Sequence, residues 1–387
     1  MKVSVLCFDL SSNSFGRSWL LAKALSKFYD VEIIGPSRNG QIWAPMDQMD
    51  IPVKKFTWKR YPGFFQIKKI MLSAIEGDVI LASKLMPTSF GIGLQKKIST
   101  NKPLILDIDD WELGFFYHSG FWGTLGRCLN ISNPNGLPYV WRMERLVRQA
   151  DIISVSNKFL QNKFGGILLP HCRDTSILNP LKFNPNKIKQ KIGLAGKKVL
   201  MFLGTPRPHK GIDDLLVALK NIDDSDLRLA IIGVDNTQEF LKKIDVSVRN
   251  RVVALPKVSF DKLPEYLSAA DIVVIPQRRT SDSVGQMPAK LYDAMAMAKP
   301  IIATRISDIS EVLGDCGYLV DPDEPSKLAE TIRYILGHLD EAHKKGVAAR
   351  ERCQRLYDIK ILESGVQNLV KQVTLKEVKH DGNSNKS

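Results

Sequence analysis

The chain lacks an apolar run close to the ~20 residues that a membrane-crossing helix needs. Cysteine is scarce: Cys7, Cys128, Cys172, Cys316 and Cys353 are scattered, odd in number and without metal-ligand spacing. That pattern excludes a disulfide framework and a cysteine-bound metal cluster, and it fits a reducing cytoplasm. Negative charge is also short, with 41 Asp and Glu against 55 Lys and Arg, a net +14. No DNA- or RNA-binding motif accompanies the excess, so no nucleic-acid partner is expected. Anionic substrates or an anionic membrane surface remain. The start of the chain, Met1 to Phe8, is too short for a signal-peptide core, ends at Asp9 and reads as a buried strand.

What is present is ordinary globular material, 44% hydrophobic and 25% charged, in a 387-residue chain long enough for two cores. Short apolar runs of buried parallel type alternate with amphipathic segments in both halves. They are VSVLCFD, VEIIGP, DVILAS, PLILDID, ADIISVS and GGILLP, then VLMFLGT, LRLAIIG, RVVALP, ADIVVIP, PIIAT and GYLV. Two doubly wound α/β domains facing each other across a cleft is the economical architecture. The expected boundaries are a first domain over 1–175, a Lys- and Asn-rich linker over 176–197, and a second domain over 198–338. Residues 376–387 have no apolar content to bury and read as a disordered tail.

Residues 281–304, SDSVGQMPAKLYDAMAMAKPIIAT, carry the strongest signal. A Gly-Gln loop runs into Pro288, a favourable helix start, and Lys299-Pro300 stops the helix before a strand. The free amides and positive dipole at such a start can hold a phosphate. Lys290 and Asp293, three apart, share one face of the helix. Asp293 stands among Leu291, Ala294, Met295 and Met297, company in which a carboxylate needs a partner. A diphosphate at the helix start, with sugar hydroxyls at Asp293, would fit a nucleotide. The plainer reading is an amphipathic helix with Asp293 capping something local.

Residues 199–219, VLMFLGTPRPHKGIDDLLVAL, run strand, loop, helix, with apolar Ile212, Leu215, Leu216 and Leu219 at helical spacing. Arg207 and Lys210 sit in that loop beside Gly204 and Gly211, where open α/β sheets bind ligands and two cations can meet a diphosphate leaving group.

Taken in order, these residues resemble the retaining glycosyltransferases of GT-B fold, family 4. The carrying residues are Gly204, Lys210-Gly211-Ile212-Asp213, Ile232-Gly233, Leu263-Pro264 with Tyr266-Leu267, and Ala270-Asp271. They continue through Asp293-Ala294-Met295-Ala296 to Lys299-Pro300-Ile301-Ile302-Ala303-Thr304, and end in Gly317-Tyr318-Leu319-Val320. The agreement spans roughly residues 195–335. The resemblance implies a nucleotide-sugar donor as substrate, with no further cofactor and no metal. Ribose would lie on Asp293, and diphosphate on Lys210, Arg207 and the amides around Gln286 and Met287, with Gly16, Gly204 and Lys290 also on the donor side. Two departures stand out. Asp293 replaces the second Glu of the family pair, and Gly285 replaces the first, with Asp282 or Ser283 as nearby substitutes. The resemblance also implies that helices over 339–375 brace the first domain, and that Gly16 in Phe15-Gly16-Arg17 approaches the donor.

Three other features bear on the first half. Leu104 to Trp111 ends a strand in Asp107-x-Asp109-Asp110; these carboxylates are candidates for the acceptor side of the cleft, or simply cap a strand-end turn. A metal-dependent phosphatase with Asp107 as nucleophile is the competing enzyme reading. His118, in the aromatic and glycine-rich stretch 114–128, could polarise an acceptor hydroxyl or be a packed histidine. Residues 54–69 interleave Lys54, Lys55, Lys59, Arg60, Lys68 and Lys69 with Phe56, Trp58, Tyr61, Phe64 and Phe65. That pattern suits peripheral contact with anionic lipid. The expectation is therefore a cytoplasmic glycosyltransferase, at the inner face of the membrane, serving a glycan or lipid-linked acceptor. A non-catalytic nucleotide-sugar-binding member, or a partner subunit, is the alternative that Gly285 motivates.

Overall fold

The computed structural model describes residues 1–43, 50–117 and 120–384. The chain forms two compact units, Met1–Pro170 with Lys360–Ser387, and His171–Ile359.

In the first unit seven strands form one parallel sheet: β1 Lys2–Cys7, β2 Asp30–Ser37, β3 Val53–Thr57, β4 Val79–Ser83, β5 Leu104–Ile108, β6 Ile152–Val155 and β7 Ile167–Leu168. Their order is β3-β2-β1-β4-β5-β6-β7. Strands β1, β4 and β5 are covered on both faces, which is why they read as unbroken apolar runs rather than alternating ones.

The second unit repeats the plan with β8 Lys198–Leu203, β9 Leu227–Ile232, β10 Val252–Leu255, β11 Ile272–Ile275, β12 Ile301–Thr304 and β13 Tyr318–Val320. Its order is β10-β9-β8-β11-β12-β13, again all parallel. The two-residue strand period sends Val199, Met201 and Leu203 into one core and Leu200 and Phe202 into the other. In both sheets the strand order reverses beside the first strand, so the loops after β8 and β11 flank the switch point at which such sheets bind ligands. Two doubly wound units of parallel sheet are as the sequence implies.

The boundaries differ from the sequence reading. Residues 176–197 are no free linker: Leu178, Ile188 and Leu194 bury into the second core, and the helix Pro185–Lys191 is capped by the Asn184 side chain. The stretch expected to brace the first domain is divided. Helix Leu339–Leu356 belongs to the second unit, with Ala349 and Cys353 in its core. Helix Ile359–Ser384 instead joins the first, where Gly365 meets Leu169. That helix continues past Leu375, where the sequence suggests a disordered tail; residues 385–387 lie outside the described residues.

Candidate nucleotide site and the acidic cluster

The loop after β8 is shaped by two glycines. Gly204 adopts φ +104° and Gly211 φ +68°, the left-handed region that favours glycine. A Cβ at Gly211 would lie 1.6 Å from the Pro276 carbonyl oxygen, so only glycine lets this loop pack against the end of β11. A Cβ built on Gly204 would lie 3.4 Å from Lys210 Nζ, which fixes the ammonium over bare backbone. Helix Ile212–Lys220 follows, with Ile212, Leu215 and Leu219 buried as their spacing requires.

Across the switch point, helix Ala289–Ala296 starts after Pro288. Lys290 projects from its first turn, and its Nζ stands 4.1 Å from the centroid of the Phe202 ring. That nitrogen is buried and has no hydrogen-bond partner among the described residues. Burial, and then the neighbouring Lys210 charge, push the Lys290 ammonium well below the ordinary lysine range. Two lysine amines therefore stand here, and among the described residues that of Lys290 has no hydrogen-bond partner.

Asp293 lies one turn further along the helix and is 5% exposed. It is not an open carboxylate: Arg173 Nε donates to its Oδ1, while Arg173 Nη2 stands 3.5 Å from Oδ2. Sequence reasoning missed Arg173, because nothing local signals an arginine 120 positions away.

Arg207 is exposed, capping the short 3-10 turn Pro208–Lys210. The Gln286 amide already donates to Ser283 O at 3.2 Å, closing the turn after helix Ser281–Val284, and the Met287 side chain is buried in the core. Neither Asp282 nor Ser283 stands in for the missing glutamate. Asp282 pairs with His209 Nδ1 at 3.0 Å, and Ser283 is used up in a capping box with Thr280.

In the first unit, Gly16 is the second residue of helix Phe15–Leu25, and its amide donates to Asn13 O at 3.2 Å. Asp107 is fully buried and locked: Arg17 Nε and Nη2 donate to its two oxygens at 2.9 and 2.8 Å, and Ser154 Oγ adds a bond at 2.8 Å. Arg17 also donates to the Leu169 and Pro170 carbonyls. Three donors hold this carboxylate in place, and with no exposed surface it is closed to an incoming substrate. Asp107 is thus a structural anchor, and the phosphatase reading loses its nucleophile.

Asp109 and Asp110 belong to a different group. The ammonium of Lys84, a buried residue at φ +73° after β4, bonds Asp109 at 2.8 Å, Glu112 at 3.0 Å, and Asp110. Among the described residues these three carboxylates are the group whose ligand atoms lie within 4.8 Å of one another, and Lys84 pairs with all three. Burial pushes the Glu112 carboxyl up to about 7, helped by the neighbouring aspartates and opposed by Lys84. His118 lies outside the described residues.

The basic–aromatic stretch is partly structural. Lys54 pairs with Glu32 and Glu76, Phe64 is buried, and Tyr61 packs on Phe64, Phe65 and Tyr139. Lys59, Arg60, Phe65, Lys69 and Ile70 remain exposed. No helix of the described residues is long and apolar enough to cross a membrane.

Comparison with known proteins agrees with this geometry. Residues 197–338 match the family model described as Glycosyl transferases group 1. An uncharacterized glycosyltransferase of Methanocaldococcus jannaschii is 28% identical over 144 residues, 36% of this chain and 38% of that protein. A GDP-mannose-dependent alpha-(1-6)-phosphatidylinositol monomannoside mannosyltransferase of Mycolicibacterium smegmatis is 24% identical over 224 residues, 54% of this chain and 59% of that protein. The chain thus spans about half the length of the curated relatives it matches. HepE of Anabaena, solved in complex with UDP-glucose, superposes with a TM-score of 0.74 at 17% identity, covering 96% of this chain and 100% of that one. The chain has the GT-B fold, and its residues 197–338 are similar to the glycosyl transferases group 1 family.

Proposed function

We propose that this protein transfers a sugar from a nucleotide-sugar donor to a glycan or lipid-linked acceptor, with retention and without a metal. The observation that carries this reading is Lys290: a buried amine with no hydrogen-bond partner among the described residues, next to Lys210, at the start of a helix. Such a group is costly alone and becomes favourable when an anion enters. The diphosphate of a nucleotide-sugar supplies that anion. The bond from the anomeric carbon to the diphosphate oxygen breaks, and the acceptor oxygen bonds to that carbon. The acceptor proton leaves with the diphosphate, whose growing charge the two lysines stabilise. The mannosyltransferase relative named above, and the UDP-glucose complex of HepE, support a nucleotide-sugar as the donor.

The exposed Lys59, Arg60, Phe65 and Lys69 support an acceptor held at an anionic membrane, in cell-surface polysaccharide or glycolipid synthesis. The test of the donor is a thermal-shift screen of UDP-, GDP-, ADP- and dTDP-sugars against wild type and Lys290→Met. Stabilisation by one nucleotide, lost in the variant, is the expected result; no shift with any donor would overturn the reading.

A second reading rests on Gly285. Gly285 carries no side chain where the family has its first glutamate, and the nearby Asp282 and Ser283 are engaged with His209 and Thr280, which favours a member that binds donor without turnover. Slow release of nucleoside diphosphate from the bound donor, followed without acceptor, separates the two: an enzyme releases it and a binding subunit does not.

A further inference from the structure

Leu129 and Ile131 stand 76% and 65% exposed on the loop between helices Gly120–Cys128 and Leu137–Leu146. The loop that holds them in water is tightly built. Arg60 Nη1 donates to Asn130 Oδ1 at 3.0 Å and to Ser132 Oγ at 2.9 Å. The Tyr61 amide donates to Ser132 O at 2.8 Å, and Tyr139 Oη to Ile131 O at 2.7 Å. A Cβ on Gly136 would lie 2.8 Å from Asn130 O, so the loop turns back only over a glycine. The loop is thereby fixed to the basic–aromatic stretch. The Tyr61 ring stands 5.4 Å from that of Tyr139 and 4.8 Å from that of Phe65. Phe65, itself 59% exposed, continues the apolar surface, and Lys68 Nζ lies 5.8 Å from its ring centroid.

The charge around this surface has one sign. Residues 52–75 and 113–143 contain no Asp or Glu, although 41 of the 387 residues are acidic. Lys59, Arg60, Lys69, Arg127 and Arg142 are exposed in those segments. A protein interface concentrates apolar groups and depletes lysine at its core, which is not the composition found here. Protruding aliphatic side chains among cations, bordered by tyrosines, suit the boundary between anionic headgroups and acyl chains.

We propose that residues 129–132 form a lipid-inserting tip, which carries Leu129 and Ile131 into an anionic bilayer while the surrounding cations hold its headgroups. The inference rests on the reading of a membrane-held acceptor and adds to it an apolar anchor from outside the basic stretch. The two contributions differ in kind. Attraction between the cations and the headgroups weakens as salt rises, whereas burial of Leu129 and Ile131 does not.

The test is co-sedimentation of the full chain with vesicles of phosphatidylcholine alone, and of equal parts phosphatidylcholine and phosphatidylglycerol. Wild type should bind the mixed vesicles about tenfold or more tighter than phosphatidylcholine alone. Leu129→Ser/Ile131→Ser should weaken binding to the mixed vesicles by about tenfold or more, and what remains should vanish in molar salt. Lys59→Gln/Lys69→Gln should also weaken binding, but with a shallower dependence on salt than wild type. Because Leu129 and Ile131 are exposed, the serine variant should keep the wild-type melting temperature. Equal binding by wild type and the serine variant would overturn the lipid-inserting tip and leave the basic stretch as the membrane contact. Equal binding of wild type to both kinds of vesicle would overturn it as well, since the one-signed charge would then count for nothing. No binding to either vesicle would overturn both the tip and the membrane-held acceptor. Self-association that the serine variant abolishes, in place of lipid binding, would assign the face to a second copy instead.

Discussion

Lys290 Nζ stands 4.1 Å from the centroid of the Phe202 ring and has no hydrogen-bond partner among the described residues, on a helix whose next turn carries an aspartate held by an arginine. The ring face offsets part of the burial of the charge, on the order of 0.5–2 kcal/mol, and an anion would supply the rest.

That relationship fixes opposite signs for one substitution. The folded-state pKa of Lys290 is depressed below its unfolded value, so its ammonium opposes folding at neutral pH, and stability rises as pH climbs from the depressed value toward 10.5. Lys290→Met should stabilise the empty protein by roughly 1–2 kcal/mol and weaken nucleoside diphosphate binding by tenfold or more, about 1.4 kcal/mol or above. A bound diphosphate favours the charged amine, so binding takes up a proton and weakens as pH rises. Calorimetry in two buffers of different ionisation enthalpy reads that uptake directly. Binding with no proton exchanged would rule the account out.

The Arg17–Asp107 pair should act on stability alone. Arg17→Met leaves a buried carboxylate without its partner and should cost about 3–5 kcal/mol. Arg17→Met/Asp107→Leu should recover most of that loss, since a buried ion pair is worth little over a well-packed apolar one. Urea denaturation of the three proteins decides it; a loss under 1 kcal/mol in the single variant would show that the lock does not matter.

Glu112 makes stability depend on pH in the neutral range. Its folded-state value is raised from 4.5 to about 7, so its contribution is fully present below 4.5 and is lost as pH rises through 7. The loss is on the order of 3–4 kcal/mol before allowing for its coupling to Lys84. Glu112→Gln keeps the neutral shape, so its stability should change less than that of wild type between pH 5 and pH 8. Parallel pH profiles for the two proteins would contradict this.

Gly211 and Gly193 share a positive φ, but they differ in what surrounds them. Gly211→Ala drives a Cβ into the Pro276 carbonyl and should cost roughly 3 kcal/mol or more, abolishing nucleotide binding with the loop. Gly193→Ala meets nothing within 4 Å and should cost only the left-handed strain, about 1–2 kcal/mol. Equal urea midpoints for the two variants would refute the packing argument.

The sequence by itself determined the two parallel sheets, because strands buried on both faces must be apolar throughout and the helices between them must carry one apolar stripe. It also determined where the ligand-facing loops lie, since Gly204 and Lys210-Gly211 follow one strand within a few positions and Lys290 follows Pro288 at a helix start. Those are local signals, readable without knowing what packs against them. The partners of the charged groups are another matter. Asp107 and Asp293 show no partner in the sequence, and tertiary structure gave each an arginine from a distant segment that donates to both of its oxygens. Asp282 went to His209, and Lys84 gathered three carboxylates from beyond the next strand. A buried charge must be paired with whatever the fold brings beside it, and contacts 26 to 120 residues apart leave no trace in local periodicity.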